Sequence, residues 1–160
     1  MEIERKFLVK QIPENLESFP KKEIEQTYIS TDPTIRLRKS DESFILTVKG
    51  KGSIAREEFE LELTKDQYDS LMKKAETPSV SKTRYLIPLN GSLTAELDVY
   101  HKNLMGLLTV EVEFKSIDEA EAFIPPEWFS LDISEDKRYK NTSLAIYGMP
   151  DKTSKRGISL

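Results

Sequence analysis

Acidic and basic residues in this sequence occur as pairs at alternate positions, and each pair is of one sign. Carboxylates recur at Glu2 and Glu4, Glu58 and Glu60, Glu96 and Asp98, and Glu111 and Glu113. Cations recur at Arg36 and Arg38 and at Lys82 and Arg84, with Lys6 following Glu2 and Glu4 on the same face of the opening run MEIERKFLV and Lys49 closing FILTVK. In an extended chain alternate residues share a face, so each pair projects on one side of its strand, about 7 Å apart. Like charges at that spacing repel by under about 1 kcal/mol in water but by roughly 2 kcal/mol at an effective dielectric near 20. Two arrangements tolerate this. Either the charged faces are solvated, with acidic and basic strands side by side, or they line an interior that binds counter-ions. Paired carboxylates supply hard oxygen ligands suited to Mg²⁺ or Mn²⁺, and paired arginines match phosphate oxygens. A metal polyphosphate would satisfy both signs at once.

The elements that must position these groups are mostly strands. EIERKFLV, IEQTYIS, TIRLRKS, FILTVK, REEFELEL, KTRYLI, AELDVY and TVEVEF all alternate apolar and polar residues, giving about eight strands. They are separated by the turn signals TDP, KSDES, GKGS and LNGS. TKDQYDSLMKKA predicts a helix with a capping box of Thr64 and Gln67, and SIDEAEAF a second with Ser116 and Glu119. NTSLAIYG predicts a last helix, with Asn141 as its N-cap and Gly148 as its stop. Eight strands with charged inner faces could close into an antiparallel barrel whose bore holds one small ligand, its apolar outer face covered by the helices. The expected fold is therefore α+β, a closed eight-stranded antiparallel β-barrel with a charged interior and a few flanking helices.

At 160 residues the chain suits one domain, expected over 1–150, followed by a polar tail over 151–160 expected to be flexible. There is no cysteine, hence no disulfide framework or thiolate chemistry, and the single histidine, His101, makes a zinc site a poor expectation. A net charge of −4 argues against a nucleic-acid partner. No apolar run reaches membrane-spanning length and nothing resembles a signal peptide, so a cytoplasmic protein with no membrane partner is expected. His101 is expected in an exposed loop, Trp128 as a core plug over one end of the bore, and Glu62 and Glu96 as scaffold residues. Outer apolar patches would support a homodimer.

Glu-x-Glu-x-Lys at Glu2, Glu4 and Lys6 resembles the signature of the CYTH superfamily, the triphosphate tunnel metalloenzymes. RLR, TVKG, REEFE, KTRY, ELDV, VEVEF and EDKRYKN follow in the family's order, so the resemblance spans residues 1 to about 150. ERKFLV and IPPEWF…EDKRYKN are most similar to a compact bacterial subgroup that hydrolyses inorganic tripolyphosphate. The resemblance implies that Lys6, Arg36, Arg38, Lys49 and Arg84, with Lys82 and Lys137, grip a small-molecule triphosphate. It implies that Glu2, Glu4, Glu111, Glu113 and Asp98 gather Mg²⁺ or Mn²⁺, while Glu58 and Glu60, again with Asp98, order the cations. Glu2, Glu4, Lys6 and Lys49 are the expected catalytic groups. The implied activity is hydrolysis of tripolyphosphate to pyrophosphate and phosphate, with weaker action on nucleoside triphosphates. A class IV-type adenylate cyclase and a non-catalytic polyphosphate or nucleotide sensor are the alternatives, and no adenosine-binding element is recognisable to support the cyclase.

Overall fold

A computed structural model describes residues 1–150. Its strands are β1 Glu2–Val9, β2 Lys21–Thr31, β3 Thr34–Ser40, β4 Ser43–Lys49, β5 Ala55–Arg56, β6 Glu58–Leu63, β7 Val80–Pro88, β8 Thr94–Tyr100, β9 Leu108–Glu113 and β10 Phe129–Asp132. The helices are α1 Lys65–Met72, α2 Ile117–Ala122 and α3 Asn141–Tyr147. The strand path runs β10-β1-β9-β8-β7-β2-β3-β4-β6, entirely antiparallel, and β5 pairs with β1. Only Glu57 separates β5 from β6, so the stretch from Ala55 to Leu63 pairs with β4 at one end and with β1 at the other. That stretch brings the two edges of an eight-staved sheet together, and a bond from the Glu4 amide to the Ile54 carbonyl (2.9 Å) extends the junction. The expectation of about eight strands differs from the ten present because this stave is interrupted and because β10 adds to the outer edge of β1. β10 has four residues after a double proline, too short for its alternation to be read.

The antiparallel registers turn the charged faces inward and the apolar faces outward. On the outside, Phe7, Leu97, Val110, Val112 and Phe114 pack under α2 and Phe129. Phe7 meets Phe129 at 5.0 Å and Phe123 at 6.1 Å between ring centroids. Arg5 lies over the Phe7 ring, pairs with Asp132 at 2.9 Å and donates to the Ala120 carbonyl at 2.9 Å, so one side chain ties β1 to β10 and to the end of α2. Trp128 joins this outer core, edge-on to Phe129 at 4.6 Å. Its expected place over the bore is instead taken by Val80, Tyr28 and Tyr100, on the inward faces of β7, β2 and β8, which pack with Leu104, Leu107, Tyr139 and Leu144.

α1 has the expected reciprocal cap, with Gln67 N donating to Thr64 Oγ1 at 3.2 Å and Thr64 N to Gln67 Oε1 at 2.8 Å. It buries Tyr68 against Leu37, Leu63 and Phe44. The helices do not cover the whole outer face as expected: Phe59 and Leu61 on β6 are 59% and 50% exposed. At α2 the Ser116 hydroxyl accepts from Glu119 N at 3.1 Å, while the Glu119 carboxylate reaches the amide of Lys115 in place of Ser116. α3 ends at Gly148 with φ +78°, a conformation an L side chain rarely adopts. Its N-cap is Lys140, not Asn141. The expected tail, 151–160, lies outside the described residues.

Candidate functional site

Cross-strand register assembles the interior. β1 and β9 set Glu4 opposite Glu113 and Lys6 opposite Glu111, and β8 and β9 set Glu96 opposite Glu111. β7 and β8 set Arg84 opposite Asp98. Across the bore, β2 and β3 set Gln26 opposite Arg38 and Tyr28 opposite Arg36, while β4 and β6 set Thr47 opposite Glu60 and Lys49 opposite Glu58. The resulting cavity of about 290 Å³ is lined by Glu2, Glu4, Glu96, Glu111 and Glu113 on one side. Arg36, Arg38, Lys49 and Arg84, with Glu58 and Glu60, complete the charged lining, and Asn141 is the one uncharged residue in it among those described.

Two sectors of this wall differ in how their charges are met. In the first, Arg84 donates to both oxygens of Asp98 at 2.8 and 2.9 Å and to Glu111 at 3.1 Å, and lies 3.5 Å from Glu96. Lys82 closes on Asp98 at 2.7 Å with its side chain wholly buried. Burial opposes ionisation of Asp98, but Arg84 and Lys82 hold its carboxyl well below the usual range. Burial likewise opposes ionisation of Glu111, which Lys6 and Arg84 nevertheless hold down to about 2. In the second sector Arg36 donates to Thr47 Oγ1 at 3.2 Å and Arg38 to Gln26 Oε1 at 2.9 Å. Among the described residues neither guanidinium has a carboxylate at ion-pair distance, and the Arg36 Nε is buried without a hydrogen-bond partner. Burial, with Arg36 and Arg84 close by, pushes Arg38 down to about 9.

A complementary excess of carboxylate lies across the cavity. Burial raises Glu4 to about 8, reinforced by the carboxylates of Glu111 and Glu2. Burial also raises Glu113, beside Glu2 and Glu96, and raises Glu96 against the pull of Arg84. Glu2 stays low despite burial because Lys49 lies 3.0 Å away and Arg56 3.6 Å away. Among the described residues no three carboxylate or imidazole groups form a ready-made metal cage. The donors are nevertheless of the right kind, hard carboxylate oxygens of the sort that hold Mg²⁺ or Mn²⁺.

Not every candidate from the sequence stands in the cavity wall. Lys6 lines an adjoining space with Glu4 and Glu111, its ammonium donating to the Tyr139 carbonyl at 2.7 Å and lying 3.9 Å from Glu111. Lys82 and Asp98 lie behind Arg84, and Lys137 is exposed on a 3-10 turn beside a separate hollow with Tyr147 and Met149. Glu96, read as scaffold, lines the cavity, while Glu62 is exposed at the far end of β6. Its alternation with Asp98 was the available signal for Glu96. Arg56 shares the charged face of REEFELEL with Glu58 and Glu60 but was given no site role, and Asn141, read as a helix cap, enters the lining at the start of α3. His101 is half-buried, its Nε2 2.7 Å from Thr83 Oγ1.

The chain is 43% identical to an inorganic triphosphatase of Nitrosomonas europaea over 91% of its own length and 97% of that protein's. It is 32% identical to an inorganic triphosphatase of Acetivibrio thermocellus, over 89% of this chain and 92% of the relative. The crystal structure of the inorganic triphosphatase NE1496 superposes with a TM-score of 0.69 at 39% identity, covering 94% of this chain and 97% of that one. The CYTH domain matches residues 1–128, which contain the Glu-x-Glu-x-Lys strand, the paired arginines and the β9 carboxylates. By profile, by sequence and by fold, this chain belongs to the CYTH family.

Proposed function

We propose that this protein hydrolyses inorganic triphosphate to pyrophosphate and phosphate with the help of a divalent cation, Mg²⁺ or Mn²⁺. The observation that carries this is the imbalance across one cavity. Among the described residues the buried Arg36 and half-buried Arg38 have no carboxylate partner, and they share the cavity with Glu4 and Glu113, which have no cation at ion-pair distance. A linear polyphosphate with its metal supplies both missing charges. The names of the two relatives support the same substrate.

In this reading Arg36, Arg38, Lys49 and Arg84 hold the phosphate oxygens. Arg84 is oriented for the task by Asp98 and Glu111, and Lys49 by Glu2 and Glu58. Glu4, Glu111 and Glu113 would hold the cation, which when bound neutralises phosphate oxygens and lowers the charge barrier to attack. Phosphoryl transfer to water needs positioning and charge stabilisation more than covalent help from the protein, and the lining offers no serine or cysteine nucleophile. Lys49, at the edge shared with a larger outer hollow, is placed to stabilise charge on a phosphoryl oxygen as the bond breaks. Lys6 acts from behind, on Glu111 and on the chain before α3.

The test incubates the protein with tripolyphosphate, ATP or thiamine triphosphate, each with Mg²⁺, Mn²⁺ or EDTA, and separates products by ion exchange. Phosphate plus pyrophosphate from tripolyphosphate, abolished by EDTA, is expected. Cyclic AMP from ATP would replace this proposal with the cyclase, and tight binding without turnover would replace it with a sensor.

A further inference from the structure

Asn141 is the uncharged member of an otherwise ionic wall, and its side chain has no structural duty among the described residues. It does not cap α3, a role that falls to Lys140 without any side-chain bond. Its Oδ1 is buried and has no hydrogen-bond partner among the described residues. The residue stands where three hollows meet: the charged cavity, the small space beside Lys6, and an outer hollow of about 460 Å³ that opens beyond Arg36 and Lys49.

The atom type limits what can meet it. Oδ1 is an acceptor, and an ionised phosphate has no proton to donate, so the substrate's oxygens cannot satisfy it. Arg36, the buried donor that shares both the cavity and the outer hollow with Asn141, also has an unpartnered Nε. A phosphoryl group held by Arg36 and Lys49 at this junction therefore leaves the Asn141 carbonyl open to an O–H donor arriving from the outer hollow. Water is the donor that hydrolysis requires.

We propose that Asn141 is a positioning residue for hydrolysis, its side-chain carbonyl accepting a hydrogen bond from the water that attacks the terminal phosphorus. This rests on the hydrolase proposed above. One water proton is held by Oδ1 in a hydrogen bond while a water lone pair points at phosphorus; the new P–O bond forms as the bridging P–O bond breaks, pyrophosphate leaves with the electron pair, one water proton stays on the new phosphate and the other is released to solvent. The neutral amide orients the water without placing another negative charge beside the phosphates.

Three proteins separate this from the other roles an asparagine can have: wild type, Asn141→Ala and the isosteric Asn141→Asp, which keeps an acceptor in either orientation of the group. Each is assayed for kcat and KM on tripolyphosphate with Mg²⁺ and for Tm. For Asn141→Ala the expected result is a kcat lower by roughly 100-fold with KM within about threefold, the scale seen when one preorganised hydrogen-bond partner is removed. Asn141→Asp is expected to retain more kcat than Asn141→Ala, and both are expected to melt with the wild type. A rise in KM with Asn141→Asp the worse variant would mean that the amide nitrogen holds a phosphate, and would overturn the proposal. Parallel losses of kcat and Tm would overturn it in favour of a structural role, and unchanged kcat would overturn it outright. Wild-type protein that cleaves no tripolyphosphate would remove the hydrolase reading and this inference together, whereas active wild type with indifferent variants removes this inference alone.

Discussion

The two cationic sectors of the tunnel wall are made of the same chemistry and are used in opposite ways. On β7 and β8, Lys82, Arg84 and Asp98 form a buried cluster in which each charge touches its opposite, with Glu111 completing it from β9. On β3, the side-chain hydrogen bonds of Arg36 and Arg38 among the described residues go to a threonine and a glutamine. Charges neutralised within the protein fix side chains in place but leave little charge for a ligand, and charges left unneutralised weaken the empty fold while reserving their attraction for one. The first sector is built mainly to stay, with Arg84 and Glu111 as its reach into the cavity, and the second to bind.

That contrast can be broken most severely at Asp98. Asp98→Ala should destabilise the fold by about 3–5 kcal/mol, because it strands Lys82 and Arg84 in a buried site. Denaturant unfolding measures it, and a midpoint matching the wild type would erase the distinction between the sectors. Arg38→Met should do the reverse: kcat/KM on tripolyphosphate falls by about 10²–10³ while the midpoint holds or rises, since a half-buried cation with no carboxylate partner among the described residues is replaced by a side chain of similar length. A large stability loss in this variant would show that Arg38 belongs to the scaffold.

The carboxylate side makes a pH prediction with a definite sign. Glu4 is raised from the usual 4.5 to about 8, so its contribution is fully present below pH 4.5 and is lost as pH rises through 8. Glu111, lowered to about 2, contributes above pH 4.5 and loses that contribution as pH falls towards 2. Metal-free protein should therefore have a lower Tm at pH 9 than at pH 6, and Mg²⁺ should raise Tm more at pH 9, where no proton competes for Glu4. Equal increments at the two pH values would remove Glu4 from the cation site. Thr64→Ala, which deletes the α1 cap far from the tunnel, should cost about 1 kcal/mol of stability with kcat/KM unchanged. Smallest of all, Glu62→Gln should leave both kcat/KM and Tm within error, marking where the functional run of glutamates on β6 ends.

Period-two alternation carried most of the barrel, because an inward charge next to an outward apolar residue has only one face to choose. It located Arg36, Arg38, Glu111 and Glu113 on the lining with no knowledge of pairing partners. It could not decide depth. Glu96 and Glu62 look alike in sequence, yet Glu96 faces Glu111 across a fully paired register and Glu62 sits at the rim. Nor could it distinguish Lys82 from Arg84, two residues apart on one face, of which one lies behind the other. Trp128 was misplaced for a different reason, since a large aromatic after two prolines signals burial but not in which of several cores. Asn141 looked like an ordinary helix cap, and only the backbone angles of Lys140 transfer that role and leave the amide to the tunnel.

The pairing of β1 has a consequence for the order in which the molecule comes into being. β1 carries Glu2, Glu4 and Lys6, yet its long partner is β9, more than a hundred residues later, with β10 on its other side. As the chain leaves the ribosome, this strand is made first and must wait for Leu108–Glu113 before it has a full-length neighbour. Barrels with such distant pairings fold slowly, because loop closure must precede the contacts that reward it. During that wait the hairpins of β2, β3 and β4 can already zip together, each joined to the next by a short turn. The Arg36 and Arg38 sector is thus complete early in the nascent protein, whereas Glu111 and Glu113 arrive late to join Glu2 and Glu4, so no N-terminal fragment that ends before β9 can hold the complete site.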